Sequence, residues 1–501
     1  MTASVALNQP TSPVASNSPD EATKSAGGHV TSRRISGEVV ARLQKFFDAV
    51  LLLVLGLMVD IALSVHATLF DVVRSVSLNV LATFAFILVA RQAGAYSIAM
   101  LGQPRSGLLK LGVAAASSAL LVVTISALAG FNVVHVATWT VAWGLLAVVL
   151  LGLERLVIGR YIREWGQAGR LSVRVAVVGG GRELEAVLDR FAKVSRAEVD
   201  VCGYFDDRSR ERNKTHTFGV PRLGDVDDLI EFSRWFRIDT IVVAMPLTAE
   251  KRLWAILNRL WVMPANIRIS ALSTRLRFNR RAYSQLGDVP LLDTFDRPIS
   301  EWDYVVKSAF DRIVAALMIV AFSPVMLATM IAIRWDSPGA AIFRQRRYGF
   351  NNELVEVFKF RSMYIDTADQ NASKLVTRGD ARVTRVGRFI RKSSLDELPQ
   401  LFNVLRGDLS LVGPRPHALK AKAADRLYDE VVEGYFSRHR VKPGVTGWAQ
   451  IKGWRGETDT TEKIEGRVEH DLYYIDNWSL WLDLYILAAT PFSLLNTKDA
   501  F

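Results

Sequence analysis

Apolar residues form long unbroken blocks in the first third of the chain and short runs in its middle. One more block precedes a polar, glycine-punctuated final third. The first block runs from Phe46 to about Phe70 and is interrupted by Asp60, and a second runs from Ser75 to about Met100 with Arg91 inside it. Leu111 to Leu153 is then 43 residues without a charge. A bilayer span takes about 20 apolar residues, so this stretch predicts two helices turning near Gly130-Phe131-Asn132, and four spans in all. Residues 1 to about 38 are rich in Ser, Pro, Ala and Thr without apolar periodicity and read as a disordered tail. No secretory signal peptide is expected, because the first apolar block starts too late for one.

Cations flank the blocks unevenly. Arg33, Arg34, Arg42 and Lys45 precede the first, Arg105 and Lys110 separate the second and third, and Arg155, Arg160 and Arg163 follow the fourth. The positive-inside rule then puts both ends of the bundle in the cytoplasm.

From about Leu171 the pattern changes to strands alternating with helices. Val173 to Val178, Val199 to Phe205 and Thr240 to Ala244 are strand-like, which predicts a small parallel sheet. Gly179-Gly180-Gly181 after the first strand opens a dinucleotide-type turn, but Leu184 stands where the third glycine belongs. A sheet-packing turn without a ligand is an equal reading.

The later block, Ile313 to Ile333, is also charge-free. Its flanks are both basic (Lys307 and Arg312 before, Arg334, Arg344, Arg346 and Arg347 after), so the charge rule places both ends on one side. Ser323-Pro324 lies at its centre. Proline removes a helix hydrogen bond, and the serine hydroxyl can satisfy the freed carbonyl. The pattern predicts a helix broken there that enters one leaflet and returns; a proline-kinked span is the alternative.

Charge then locates the chemistry. The chain carries 62 Lys and Arg against 50 Asp and Glu, a net +12 in a sequence that is half hydrophobic. Residues 334–420 supply sixteen of those cations and nine of the acids, +7 of the total. Phosphorylated or lipid-phosphate partners suit this basic, membrane-adjacent stretch better than nucleic acid, for which no binding fold is recognised. The single cysteine, Cys202, excludes a disulfide framework.

Within that stretch Leu398, Leu401, Phe402 and Leu405 share one helical face, and Pro399 belongs in its first turn. Asp396 and Glu397 therefore stand at a helix N-terminus among arginines. An acid there is commonly only a cap. Among phosphate-binding cations, however, a carboxylate can attack phosphorus, and Mg²⁺ can bridge carboxylate and pyrophosphate. In Gly413-Pro414-Arg415-Pro416 the prolines fix the backbone of an arginine suited to a phosphate. Lys442 to Gln450 is a further glycine-punctuated turn able to line a nucleotide pocket, and Trp478 to Leu495 reads as an interfacial amphipathic helix.

These segments carry a resemblance. FRQRRYG, FKFRSM, SLDELPQL, RGDLSLVGPRP, KPGVTGWAQI and HDLYYIDNWSLWLD, with the Ser323-Pro324 break, resemble the catalytic domain of the bacterial sugar transferases, the polyprenyl-phosphate hexose-1-phosphate transferases. The four spans and the α/β domain are similar in architecture to the large members acting with glucose. The resemblance implies a two-step transfer of hexose-1-phosphate from a UDP-sugar to undecaprenyl phosphate. It makes Asp396 the nucleophile and Mg²⁺ ligand, and Glu397 its dyad partner. Lys359, Arg361, Arg391, Arg415 and Asp471 are the substrate-binding residues, and Ser323 and Pro324 the break of a re-entrant anchor.

The expected fold is a membrane protein, α plus α/β. A disordered tail occupies 1–38, a four-helix transmembrane bundle 39–165 and a Rossmann-like cytoplasmic domain 166–295. A mainly helical catalytic domain covers 296–501, with a re-entrant helix at about 305–335 and interfacial helices. The expected partners are a UDP-sugar, undecaprenyl phosphate and anionic lipid, with a homodimer left open. The expected place is the bacterial inner membrane, at the first membrane step of exopolysaccharide or capsule synthesis. A membrane-bound sugar-nucleotide dehydratase or epimerase is the enzymatic rival, but no tyrosine here has a lysine four residues on. A non-enzymatic scaffold for polysaccharide assembly is the other.

Overall fold

The computed structural model describes residues 36–63, 69–194, 198–208, 216–272, 283–364, 380–416, 422–423, 426–427, 435–454 and 460–495. The expected tail lies outside the described residues as far as residue 35.

Four helices, α1 (Gly37–Leu63), α2 (Leu69–Gln92), α3 (Pro104–Leu128) and α4 (Val133–Gln167), pack each against the next, and α4 closes on α1. The α3–α4 turn falls where the charge-free run was expected to fold back. Gly130 takes a φ of 71°, and the Asn132 carboxamide caps α4 by accepting from the His135 amide at 3.3 Å. Leu52, Phe86, Trp143 and Leu151 fill the centre. The indoles of Trp139 and Trp143 donate to the carbonyls of Gly56 (3.2 Å) and Leu52 (3.1 Å), so the bundle buries no unsatisfied indole N–H. Phe84, Leu120, Leu128 and Leu145 face outward. A bundle apolar inside and outside suits lipid rather than water. With α8 below, five helices among the described residues are long and apolar enough to cross a membrane, which marks the chain as a membrane protein. Arg155 is buried against Asp48 at 2.5 Å, and Gln44 donates to Asp48 (2.6 Å) and Glu154 (2.8 Å). Ionic groups in an apolar bundle persist when paired in this way.

The middle of the chain is α/β. Strands β1 (Val173–Gly179), β2 (Val199–Phe205), β3 (His216–Thr217), β4 (Val220–Gly224), β5 (Thr240–Ala244), β6 (Asn266–Ser270), β7 (Tyr283–Leu286) and β8 (Val289–Phe295) form one sheet in the order β3-β4-β2-β1-β5-β6-β8-β7. The five strands from β4 to β6 are parallel, and β3, β8 and β7 add antiparallel edges. β1 and β5 are buried on both faces. Val178 and Ile241 face α6 (Val226–Trp235) and α7 (Glu250–Leu260); Val175 and Val242 face α5 (Arg182–Lys193). Burial on both faces makes each strand a continuous apolar run. Leu184, in the third glycine's place, packs into the core between α5 and the sheet.

The final part begins with α8 (Glu301–Asp336), capped by the Ser300 hydroxyl, which accepts from Asp303 N at 3.2 Å. α8 is not broken at Ser323-Pro324: the helix continues through Pro324. The Ser323 hydroxyl donates to the carbonyl of Val320 at 2.9 Å, the group whose partner the proline removes. Both halves of α8 pack on the same body. Met318 and Ile319 join the cluster around Leu401 and Leu411, Met326 and Ile333 the cluster around Phe360 and Ile390, and Leu398 belongs to both. Strands β9 (Ile342–Tyr348) and β10 (Leu354–Phe360) then form a hairpin. They are followed by α9 (Arg385–Lys392), α10 (Gln400–Arg406), the parallel pair β11 (Ser410–Val412) and β12 (Gly444–Thr446), α11 (Thr461–Asp476) and α12 (Leu480–Leu495). On α12 Trp481, Tyr485 and Phe492 are exposed. Its one charge, Asp483, turns inward to Lys307 (2.6 Å), Tyr474 Oη (2.7 Å) and Trp478 Nε1 (3.2 Å).

Candidate active site

Asp396 and Glu397 occupy a 3₁₀ turn, Leu395–Glu397, between α9 and α10, with Pro399 capping α10. Ser394 enters the turn in the left-handed region, at a φ of 58°. Leu401 and Val404 on α10 are buried in the core, so the turn is anchored from below while its carboxylates face the cations.

Glu397 is the hub of the cluster. Its Oε1 accepts from Lys359 Nζ at 3.2 Å and Arg415 Nη2 at 2.6 Å, and its Oε2 from Arg415 Nη1 at 3.5 Å. Lys359 comes from the end of β10, and burial holds it below the ordinary lysine range. Glu397 holds Arg415 above the ordinary arginine range. Burial and the adjacent Glu397 carboxylate push Asp396 up to about 6, against the opposing pull of Lys359, Arg391 and Arg415. At neutral pH Asp396 is then mostly ionised yet poorly solvated, a state suited to a nucleophile.

Arg415 is held as its flanking prolines suggest. All three carbonyls of Pro414-Arg415-Pro416 accept hydrogen bonds: from Gly444 N (2.9 Å), Arg438 Nη2 (3.0 Å) and Arg347 Nη1 (2.8 Å). The loop sits close against β12 because residue 413 has no side chain; a Cβ there would meet the Lys442 carbonyl oxygen at 2.5 Å. Arg347, whose guanidinium is also bonded to Gln345 Oε1 at 2.6 Å, and the fully buried Arg438 are the residues that sequence reasoning missed. Both sit in arginine-rich segments where nothing in the pattern separates a buried cation from a surface one.

The other expected residues divide. Arg391 ends α9 and acts on Asp396 through its charge. Asp471 is buried on α11 and pairs with Arg438, so it reaches the cluster through the arginine that grips the Arg415 carbonyl. Arg361 is turned away: its guanidinium donates to the carbonyls of Ser337 (2.7 Å) and Pro338 (2.8 Å), tying β10 to the end of α8. Among the described residues no group of three or more His, Cys, Asp and Glu could hold a metal ion. With Glu397 engaged by Lys359 and Arg415, Asp396 is the one carboxylate of the dyad open to a cation. That donor set fits Mg²⁺, which is commonly held by one or two carboxylates together with substrate phosphates.

Residues 302–497 match the family described as bacterial sugar transferase, and residues 91–271 match one described as CoA-binding domain. The chain is 36% identical over 348 residues to the UDP-glucose:undecaprenyl-phosphate glucose-1-phosphate transferase of Escherichia coli (strain K12), covering 68% of this chain and 71% of that protein. It is 33% identical to the protein so named from Xanthomonas campestris pv. campestris, over 72% of this chain and 75% of the other. It is 38% identical to the undecaprenyl-phosphate glucose phosphotransferase of Komagataeibacter xylinus, over 72% and 66%.

Proposed function

The chain belongs to the bacterial sugar transferase family, and from that premise we propose that it moves glucose-1-phosphate from UDP-glucose to undecaprenyl phosphate in the inner membrane. The observation that carries the mechanism is a half-buried carboxylate, Asp396, raised to about 6 beside Lys359 and Arg415. In the first step an Asp396 oxygen attacks the sugar-bearing phosphorus. The bond to the bridging oxygen breaks, UMP leaves with that electron pair, and an acyl phosphate joins enzyme and sugar. In the second, an oxygen of undecaprenyl phosphate attacks the same phosphorus and expels the carboxylate. Lys359 and Arg415 stabilise charge on the transferred phosphoryl oxygens, and Arg391 adds to that field. Glu397 keeps both cations aimed, which costs no reorganisation during reaction. Mg²⁺ would be held by Asp396 with substrate phosphates and would supply charge neutralisation there.

The same reading keeps both ends of α8 on one side of the membrane, the helix kinked but unbroken at Ser323-Pro324. Lys307 near its start pairs with Asp483, and Asp336 at its end accepts from Val386 N at 3.0 Å, both partners lying in one catalytic body. A helix crossing the bilayer would part those ends by about 30 Å of hydrocarbon. With cations at both ends, the catalytic body then faces the cytoplasm. Intact-mass analysis tests the chemistry. Protein given UDP-glucose without lipid acceptor gains one hexose phosphate and releases one UMP; no adduct together with full turnover would rule out the covalent route.

A further inference from the structure

A cavity of about 590 Å³ lies where the α/β domain, the start of α1, the first turns of α8 and the catalytic body meet. It is separate from the dyad: it touches α10 at Val404 and just past its end at Gly407 and Leu409, whereas Asp396 and Glu397 precede the helix's beginning. Its size suits a nucleotide-sized organic molecule or a lipid headgroup.

Its charges are unbalanced. Six cationic side chains line it against three acids. Three of the cations are neutralised within the fold: Arg237 and Arg297 by Glu301 and Asp239, and Lys307 by Asp311 and Asp483. Among the described residues Arg440 meets an acid at Asp476 alone, 3.5 Å away, and it stacks on Trp261. Arg234 and Lys442 make no ion pair among the described residues; Lys442 rests over the Tyr304 ring at 5.2 Å. The one lining acid outside those networks is Glu353, whose carboxyl burial raises above its ordinary range. Facing these cations are the apolar walls of Tyr304, Val404 and Leu409. Two cations without an acidic partner and a third with a distant one, lining a cavity that also has an apolar wall, suit an anion that carries an apolar group. The cavity also lies within about two turns of the charge-free run of α8, lined as it is by Tyr304, Ser308 and Asp311, which puts it near headgroup height.

We propose that this junction binds a phosphate ester with an apolar or aromatic group, its phosphate on Arg234, Arg440 and Lys442 and its apolar part on Tyr304, Val404 and Leu409. The ester comes from the bilayer as an anionic phospholipid or from solution as a nucleotide. Occupancy reaches the dyad through α10, which the ligand touches at one end and which follows Glu397 at the other. That effect on turnover rests on the proposed function; binding itself does not.

The full-length protein in nanodiscs, without UDP-sugar, provides the test. Thermal midpoints are compared in phosphatidylcholine alone, in phosphatidylcholine with phosphatidylglycerol, and in phosphatidylcholine with added ADP or inorganic phosphate. The expected result is a rise with phosphatidylglycerol or with ADP, the responding arm identifying the source, and a weaker response to inorganic phosphate. Lys442→Glu should raise the half-saturating amount at least about tenfold, the loss of one charge-assisted contact. Arg234→Glu, on an exposed position of α6, should do the same without disturbing the fold. No rise with either ester, or a rise unchanged in both variants, overturns the proposal. Because no sugar nucleotide is present, this result is independent of whether Asp396 is the nucleophile.

Discussion

At the scale of single residues, Asp396 concentrates a conflict between stability and reaction. Its carboxyl titrates near 6 in the fold and at 3.8 as a free side chain, so the folded state binds the proton more tightly. Ionisation at pH 7 therefore costs the fold about 1–3 kcal/mol, a cost that vanishes as pH falls below 3.8. Asp396→Asn should raise the thermal midpoint at pH 7 and lose that advantage near pH 4, while turnover drops at least about 10⁴-fold, some 5.5 kcal/mol of barrier. A wild-type rate that does not rise with pH through about 6 would count against Asp396 as the nucleophile. Arg415→Lys keeps the charge but not the two-pronged donor set, and should cost on the order of ten- to several-hundred-fold in kcat/KM. The same swap at exposed Arg385 should cost almost nothing, both being measured at one salt concentration. Asp396, Glu397 and Arg415 were legible because helix periodicity and paired prolines mark their backbone positions. Arg361 and Asp471 were legible as charged residues but not as buried ones. Their partners, the Ser337 and Pro338 carbonyls and the Arg438 guanidinium, are set by tertiary contacts that no local spacing encodes.

At the scale of elements, hydrophobic periodicity located strands β1, β2 and β5 and the α3–α4 turn, because each is dictated by its own residues. It did not reveal the β7–β8 hairpin, whose polar-flanked strands pair only at the edge of a sheet already formed. Ser323-Pro324 shows the limit of reading a breaker residue alone. The serine hydroxyl takes the carbonyl that proline orphans, so the helix survives a residue expected to end it. Pro324→Leu restores the backbone donor and favours a straight helix. A cysteine placed on exposed Arg344 then reports topology with a membrane-impermeant thiol reagent in spheroplasts, in a Cys202→Ser background. The native chain should resist labelling, and Pro324→Leu should increase it or abolish activity. Strong labelling of the native chain would mean that α8 crosses the bilayer.

At the scale of the whole molecule, the three parts are joined by polar contacts rather than by one continuous core. Arg297 is the principal tie between the α/β domain and α8. Its guanidinium donates to the Ile238 carbonyl (2.8 Å), the Pro264 carbonyl (3.1 Å) and Asp239 (3.1 Å), and pairs with Glu301 at 3.4 Å. Glu301 in turn accepts from Ser36 at the start of α1, so bundle, sheet and catalytic helix converge on one guanidinium. None of this was readable from the sequence, where Arg297 is one cation among many and its acceptors are mostly backbone. Arg297→Ala leaves Asp239 buried with one fewer cation and strands two carbonyls. Arg237 still pairs with Asp239 at 3.5 Å, so the cost should fall below the roughly 3–5 kcal/mol typical when a buried charge loses its partner. The loss should fall on the junction, since each core cluster keeps its own apolar contacts. Limited proteolysis in nanodiscs should cut Arg297→Ala faster between the sheet and α8 while leaving the catalytic body intact. Arg297→Lys, a single point donor, should restore only part of the protection. Equal proteolysis of wild type and Arg297→Ala would mean that the apolar contacts around Ile299 hold the junction without the guanidinium.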